Sequence, residues 1–143
     1  MHTRTGRLPA AVGAAVVVAL AFNACSSSSG PSSSSGPSGS TTPPSDAVST
    51  NTITIANNVV TPKNIKVARG SQVTFVNNDT VAHEMFSDPH PDHTDCPEIN
   101  QVGFLNPGER RQTGNMISNR SVCGFHDHGL PNVAGLQGSI TIQ

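Results

Sequence analysis

The sequence predicts an all-β domain, a sandwich of short strands, and three observations carry that prediction. Apolar and polar residues alternate in "TITIA" (52–56), through "NIKVARGSQVTFVNND" (64–79) and in the closing "GSITIQ" (138–143), which is the two-residue period of a half-buried strand. No window of eleven or more residues carries a helical period. Gly and Pro punctuate the chain at Pro62, Gly70, Pro89, Pro91, Pro97, Pro107-Gly108 and Pro131, which suits short strands joined by turns and long connections.

The chain opens with "MHTRTGRLPAAVGAAVVVALAFNAC": Arg4 and Arg7, an apolar run from Ala10 to Phe22, then Cys25. Its length and flanks are those of a secretion signal and not of a spanning helix. With "SSSSGPSSSSGPSGSTTPPS" following Cys25, the segment resembles a bacterial lipoprotein signal, in which the cysteine is lipidated after cleavage. Residues 1–25 are therefore expected to be a signal peptide ending in a lipidated Cys25, which places the protein outside the cytoplasm, held to the cell membrane through its lipid. Residues 26–49 are nearly all Ser, Gly, Pro and Thr. Such a stretch buries too little apolar surface to offset chain entropy and is expected to be a disordered linker.

Residues 50–143 form one domain of roughly a hundred residues. The net charge of the chain is −1 and its Lys and Arg form no run, so neither nucleic acid nor an acidic partner is implied. A monomer is expected. There is no Trp or Tyr, so Val, Ile, Leu and the four of the five Phe that lie in this domain must fill the core. A domain of this size has little stability to spare, and a disulfide or bound metal would help.

The first strand is "TITIA"; two β-branched runs follow around the turn Arg69-Gly70-Ser71; "HEMFSD" is a further run and "GSITIQ" the last. Between them, Pro89 to Gly103 has no period. A loop of that length inside a small domain needs a reason to persist.

The run Val60-x-Pro62-x-x-Ile65-x-Val67-x-x-Gly70-x-x-Val73-x-Phe75-x-Asn77-Asn78-Asp79-x-x-x-His83 resembles the first half of a cupredoxin, the small copper-binding sandwich typified by plastocyanin. Leu105-x-Pro107-Gly108 is similar to the family's turn before the penultimate strands, and Gly138-Ser139-Ile140-Thr141-Ile142 to its closing strand. The resemblance implies a Greek-key sandwich, copper as the cofactor, and His83 as the first ligand. It also implies an electron carrier or copper-handling protein whose partner is a redox or copper-handling protein, and not an enzyme.

In plastocyanin-like proteins the other ligands are a Cys, a His shortly after it and a Met before the final strand. Here Cys123 and His126 stand at that spacing, with Leu136 where the Met would be. This alternative is a blue-copper electron carrier with Cys123 as ligand and an empty axial place. Three observations oppose it. "SNRSV" before Cys123 lacks the family's aromatics, and Phe125 follows the cysteine instead. If the strand continues, Cys123, Phe125 and Asp127 share one face while His126 and His128 share the other. Cys96 is also present, and two cysteines left in an exported chain more often pair than stay free.

The stretch "SDPHPDHTDCPEIN" resembles a subgroup of bacterial cupredoxin-like proteins in which a similar loop accompanies a terminal "HDH", with bulky residues at the positions that are Cys96 and Cys123 here. That resemblance implies a Cys96–Cys123 bridge. Copper would then be held chiefly by His83, His126 and His128, with Asp127 as ligand or as the partner orienting a ring nitrogen. His90 and His93 are a second tier, able to complete the site or to be part of a solvated loop. Zinc could use the same atoms, and a metal-free extracellular module is a third reading. A Cys123/His126 nucleophile pair has no base-orienting group or oxyanion hole marked in the sequence, so catalysis is not expected.

Overall fold

The computed structural model describes residues 42–143; the proposed signal, Cys25 and most of the linker lie outside them. Ten strands follow one another: β1 (Val48–Ser49), β2 (Thr52–Ala56), β3 (Val59–Thr61), β4 (Asn64–Val67), β5 (Thr74–Asn77), β6 (His83–Ser87), β7 (Gly103–Leu105), β8 (Arg110–Gln112), β9 (Val122–Asp127) and β10 (Gly138–Ile142). Single turns of 3-10 helix lie at Ile99–Gln101 and Ala134–Leu136. A six-stranded sheet runs β1-β4-β10-β9-β6-β7 and a four-stranded sheet runs β3-β2-β5-β8. Both are mixed, with β1, β4 and β10 parallel in the first and β2 and β5 parallel in the second. The all-β sandwich expected from the alternation is the fold observed.

Alternation explains which residues are inside. In β2 Ile53 and Ile55 are buried and Thr52 is exposed; β4 buries Ile65 and Val67, and β5 buries Phe75 and Asn77. Phe75 of one sheet meets Phe125 of the other edge to face, with ring centres 5.2 Å apart. Val73, Met85, Leu105, Met116, Leu136 and Ile140 fill the space around that pair, so aliphatic residues make up most of the core in place of aromatics. Gly70 adopts φ 86° in the turn between β4 and β5, where a side chain would be strained.

Strand pairing begins at Val48, within the segment read as linker, where β1 aligns with β4 and the Asn64 amide donates to Asp46. The strands without an alternating signature are β3, β7 and β8, each three residues long. In β8, Arg110–Gln112 is exposed throughout at a sheet edge, where charge discourages pairing with another chain.

The connection between β6 and β7 has a physical reason to persist. β6 ends at Ser87, opposite Phe125 of β9, and the chain then crosses β9, with the Asp88 amide donating to the Gly124 carbonyl (3.0 Å). The Asn100 side chain clamps the loop, accepting from the Ser87 amide (3.0 Å) and donating to the His93 carbonyl (2.8 Å). Ile99 and Val102 anchor its return in the core. Cys96 and Cys123 are joined by a disulfide, with Cα atoms 5.8 Å apart. Closing 27 residues in this way is worth on the order of 3 kcal/mol through the unfolded chain.

Candidate metal centre

β9 sets the geometry. Cys123 and Phe125 point into the core and Asp127 lies on their face, so His126 and then His128 project from the opposite, outer face of the six-stranded sheet. Phe86 of β6 is His126's cross-strand neighbour, and its ring lies 5.6 Å from that of His128. The loop after β6 lays His90 and His93 over this surface: the His93 ring is 4.7 Å from Phe86, 5.1 Å from His126 and 5.0 Å from His128. His90 completes the cluster at 5.4 Å from His126, 5.0 Å from His128 and 5.7 Å from His93.

Three of these imidazoles bring a nitrogen each to one place. Ligand atoms of His90, His93 and His128 all lie within 4.8 Å of one another, and Nε2 of His93 is 2.9 Å from Nδ1 of His128. His93 is oriented for this: its Nδ1–H donates to the Ser87 carbonyl (2.8 Å), which leaves Nε2 of the neutral ring as an acceptor, here of the Nδ1–H of His128. A backbone carbonyl on the far nitrogen is the usual way of fixing the tautomer of a metal-binding histidine. His128 is held at its backbone, where its amide donates to the Glu84 carbonyl (2.7 Å). His90 is the exposed member. Partial loss of hydration, followed by the like charges of His126, His128 and His93, holds its pKa below the ordinary imidazole value, which favours the neutral form a metal requires.

His126 sits beside this group, 2 % exposed. Its Nδ1–H donates to Asp88 Oδ1 at 2.7 Å, and its Nε2 is buried with no hydrogen-bond partner. A groove of about 750 Å³ runs along the same face, with His90, His126, Asp88, Lys63, Arg120 and Gln137 in its lining. Of the four imidazoles, His90 and His126 border this groove.

The structure brings together some of the residues singled out in sequence and separates others. His126 and His128 share a face, as the strand register predicts, and the second-tier His90 and His93 join them. His83 stands apart. It begins β6 on the inward face, 1 % exposed, with Nδ1 donating to Asp127 Oδ2 (2.7 Å) and Nε2 lying 3.4 Å from Asp79 Oδ2. Asp127 belongs with His83 because alternation turns it away from its two histidine neighbours; its Oδ1 accepts from the amides of Gly129 (2.9 Å) and Leu130 (3.2 Å). Asp79 is held below its ordinary carboxylate pKa by the amides of Asn58 and Thr80, with His83 adding to the effect.

The disulfide corrects the blue-copper alternative. The Cys123 sulfur is bonded to Cys96 and supplies no thiolate, while Leu136, in the axial place of that reading, is a buried core residue. Sequence reasoning did not set Asp88, Ser87 or Asn100 in their supporting roles. The one signal available was the unexplained persistence of their loop.

No family model matches the chain, and no curated protein matches it. Solved structures do. An amicyanin variant in its reduced Cu(I) form is similar at a TM-score of 0.50 and 13 % identity, over 73 % of this chain and 95 % of that one. A mutant plastocyanin of fern is similar at 0.50 and 17 %, over 64 % and 99 %. A purple cupredoxin from Nitrosopumilus maritimus gives 0.47 and 20 %, over 66 % and 100 %. The first two likenesses show that the sandwich is the cupredoxin fold.

Proposed function

We propose that this cupredoxin-fold domain is an extracytoplasmic copper-binding protein, anchored to the cell membrane through Cys25, whose ion is held by imidazoles on the outer face of the larger sheet. The observation that carries the reading is the 2.9 Å separation of His93 Nε2 and His128 Nδ1 with His90 beside them. Metal–nitrogen bonds of about 2.0 Å place two ligand nitrogens of one ion roughly 2.8–3.3 Å apart at ordinary coordination angles. Neutral imidazole suits Cu(II) well, and the similar amicyanin is described with copper. The bound ion would supply one-electron redox chemistry; the chain supplies a fixed tautomer at His93 and a dry floor from Phe86.

Copper handling is the role this arrangement favours. The disulfide removes the soft thiolate that a blue centre needs, one ligand is exposed, and an open groove adjoins the site. Electron transfer to a protein partner is the second reading and rests on the fold. A hydrolytic role for Cys123 is ruled out by its bond to Cys96.

Titration of the purified oxidised domain with Cu(II), and separately with Zn(II), tests the proposal. One equivalent of Cu(II) is expected to bind without an intense blue band, and His93→Ala and His128→Ala are each expected to weaken binding by at least tenfold. A blue spectrum, or unchanged stoichiometry and affinity in both variants, would overturn it.

A further inference from the structure

We infer that His126 is a fourth nitrogen ligand of the imidazole group, and that Asp88, seated on the bare backbone of Gly124, is the positioning residue that makes it one. The inference rests on the reading of His90, His93 and His128 as a metal site and adds to it a ligand and the machinery behind that ligand.

The first argument concerns the two nitrogens of His126. Donation from Nδ1–H to Asp88 Oδ1 at 2.7 Å puts the lone pair of the neutral ring on Nε2. That atom is buried and has no hydrogen-bond partner, and a buried acceptor left unpaired is destabilising. A cation among the neighbouring rings would satisfy it. Two imidazoles on one ion have ring centres roughly 4.5–5.5 Å apart, given metal–nitrogen bonds of about 2.0 Å. The ring centre of His126 lies 5.1 Å from that of His93 and 5.4 Å from that of His90. Its nitrogens lie outside the group of His90, His93 and His128, whose ligand atoms are within 4.8 Å of one another, so binding draws the loop rings toward His126 Nε2.

The second argument concerns residue 124. Glycine weakens a strand interior and often marks a place where something approaches the backbone closely. Gly124 lies in β9 between Cys123 and Phe125, on the face that carries His126. The Asp88 amide donates to its carbonyl, and the Asp88 side chain lies flat against it. A Cβ built at Gly124 would overlap Asp88 Oδ2 and come within 2.9 Å of Cγ. Any side chain there displaces the carboxylate that orients His126. The Gly of "CGFHDH" is thus tied to the Asp of "SDPHP" through a contact between a strand and a loop 36 residues apart.

Competition titration of Cu(II) against a chelator, read together with the nitrogen hyperfine pattern in the electron paramagnetic resonance spectrum, tests this. Asp88→Ala and Gly124→Ala are each expected to weaken Cu(II) binding by about ten- to a hundredfold, the usual scale for losing an orienting partner. Both should lose one nitrogen from the pattern, as His126→Ala does. The Asp88→Ala/Gly124→Ala double variant should bind no more weakly than either single one, because Gly124 acts through Asp88. Asp88→Asn, whose amide oxygen still accepts from Nδ1–H, should recover most of the affinity. Thermal unfolding and thiol counting on each variant separate lost packing from lost binding. Additive losses in the double variant, or a His126→Ala spectrum and affinity equal to wild type, would overturn the inference. If His93→Ala and His128→Ala also change nothing, the site reading beneath it has failed; if those two abolish binding and His126→Ala does not, only the fourth ligand has.

Discussion

His83 and His93 show how little a histidine's type says about its task. His83 is enclosed, with Asp127 on one ring nitrogen and Asp79 near the other, so both nitrogens face carboxylates of the protein. His93 has one nitrogen on a backbone carbonyl and turns the other toward its fellow imidazoles. His83→Ala should therefore cost stability, about 1–3 kcal/mol for leaving a buried partner unpaired, while copper stoichiometry persists. Chemical denaturation beside metal analysis checks this, and loss of copper from a folded His83→Ala domain would restore His83 as a ligand. Acid should act on the same corner. Asp79 has a folded pKa below its ordinary 3.8, so its contribution is complete above that value and is lost as pH falls from there toward the folded value. Asp79→Asn keeps a single side-chain oxygen, so it accepts from only one of the Asn58 and Thr80 amides, which bind different oxygens of the carboxylate. It should show a shallower loss of thermal stability than the parent below about pH 4.

At the scale of elements, the site is the product of one strand register and one clamped loop. The register was legible: placing Phe125 inward sends His126 and His128 outward together, and that needs only the two-residue period of β9. The strands β2, β4, β5, β6 and β10 were legible for the same reason, whereas β3, β7 and β8 are too short to show a period and exist through their neighbours. The loop was legible only as an anomaly. His90 and His93 reach the site through the Asn100 clamp and the Ser87 carbonyl, contacts within the loop that leave no periodic signature, and through the bridge to Cys123, 27 residues from Cys96. The match of His83 to a ligand-loop pattern fixes its place on β6 but not which side chains face it. The bridge joins the segment carrying His90 and His93 to the strand carrying His126 and His128. Replacing Cys96 and Cys123 together by Ala should lower stability by on the order of 3 kcal/mol. Cu(II) should still bind, more weakly, because loading must then also order the loop. Calorimetry and metal titration of the double variant check both parts, and unchanged affinity would show that Asn100 and the buried Ile99 suffice to hold the loop.

At the scale of the whole molecule, the sandwich presents His90, His93, His126 and His128 on a sheet face and not at the end occupied by His83, Asp79 and Asp127. Pairing of β1 with β4 and the Asp46–Asn64 contact seat the domain's first residues beside β4 and β10, on the sheet that bears the site. Thr42 and Pro44 share the groove's lining with His90 and His126. A lipid on Cys25, joined through the Ser/Gly-rich linker, would keep the domain near the membrane without fixing which face meets it. Stable attachment takes more than one acyl chain, so the processed cysteine should carry several. Expressed with its own signal in a bacterial host, the protein should sediment with membranes and yield a lipid-modified N-terminal peptide in mass spectrometry. Cys25→Ser should abolish the modification and leave the protein soluble or unprocessed, with copper binding by the domain unaltered. Equal membrane retention of the two forms, with no lipid adduct on either, would reject the anchor while leaving the metal site untouched.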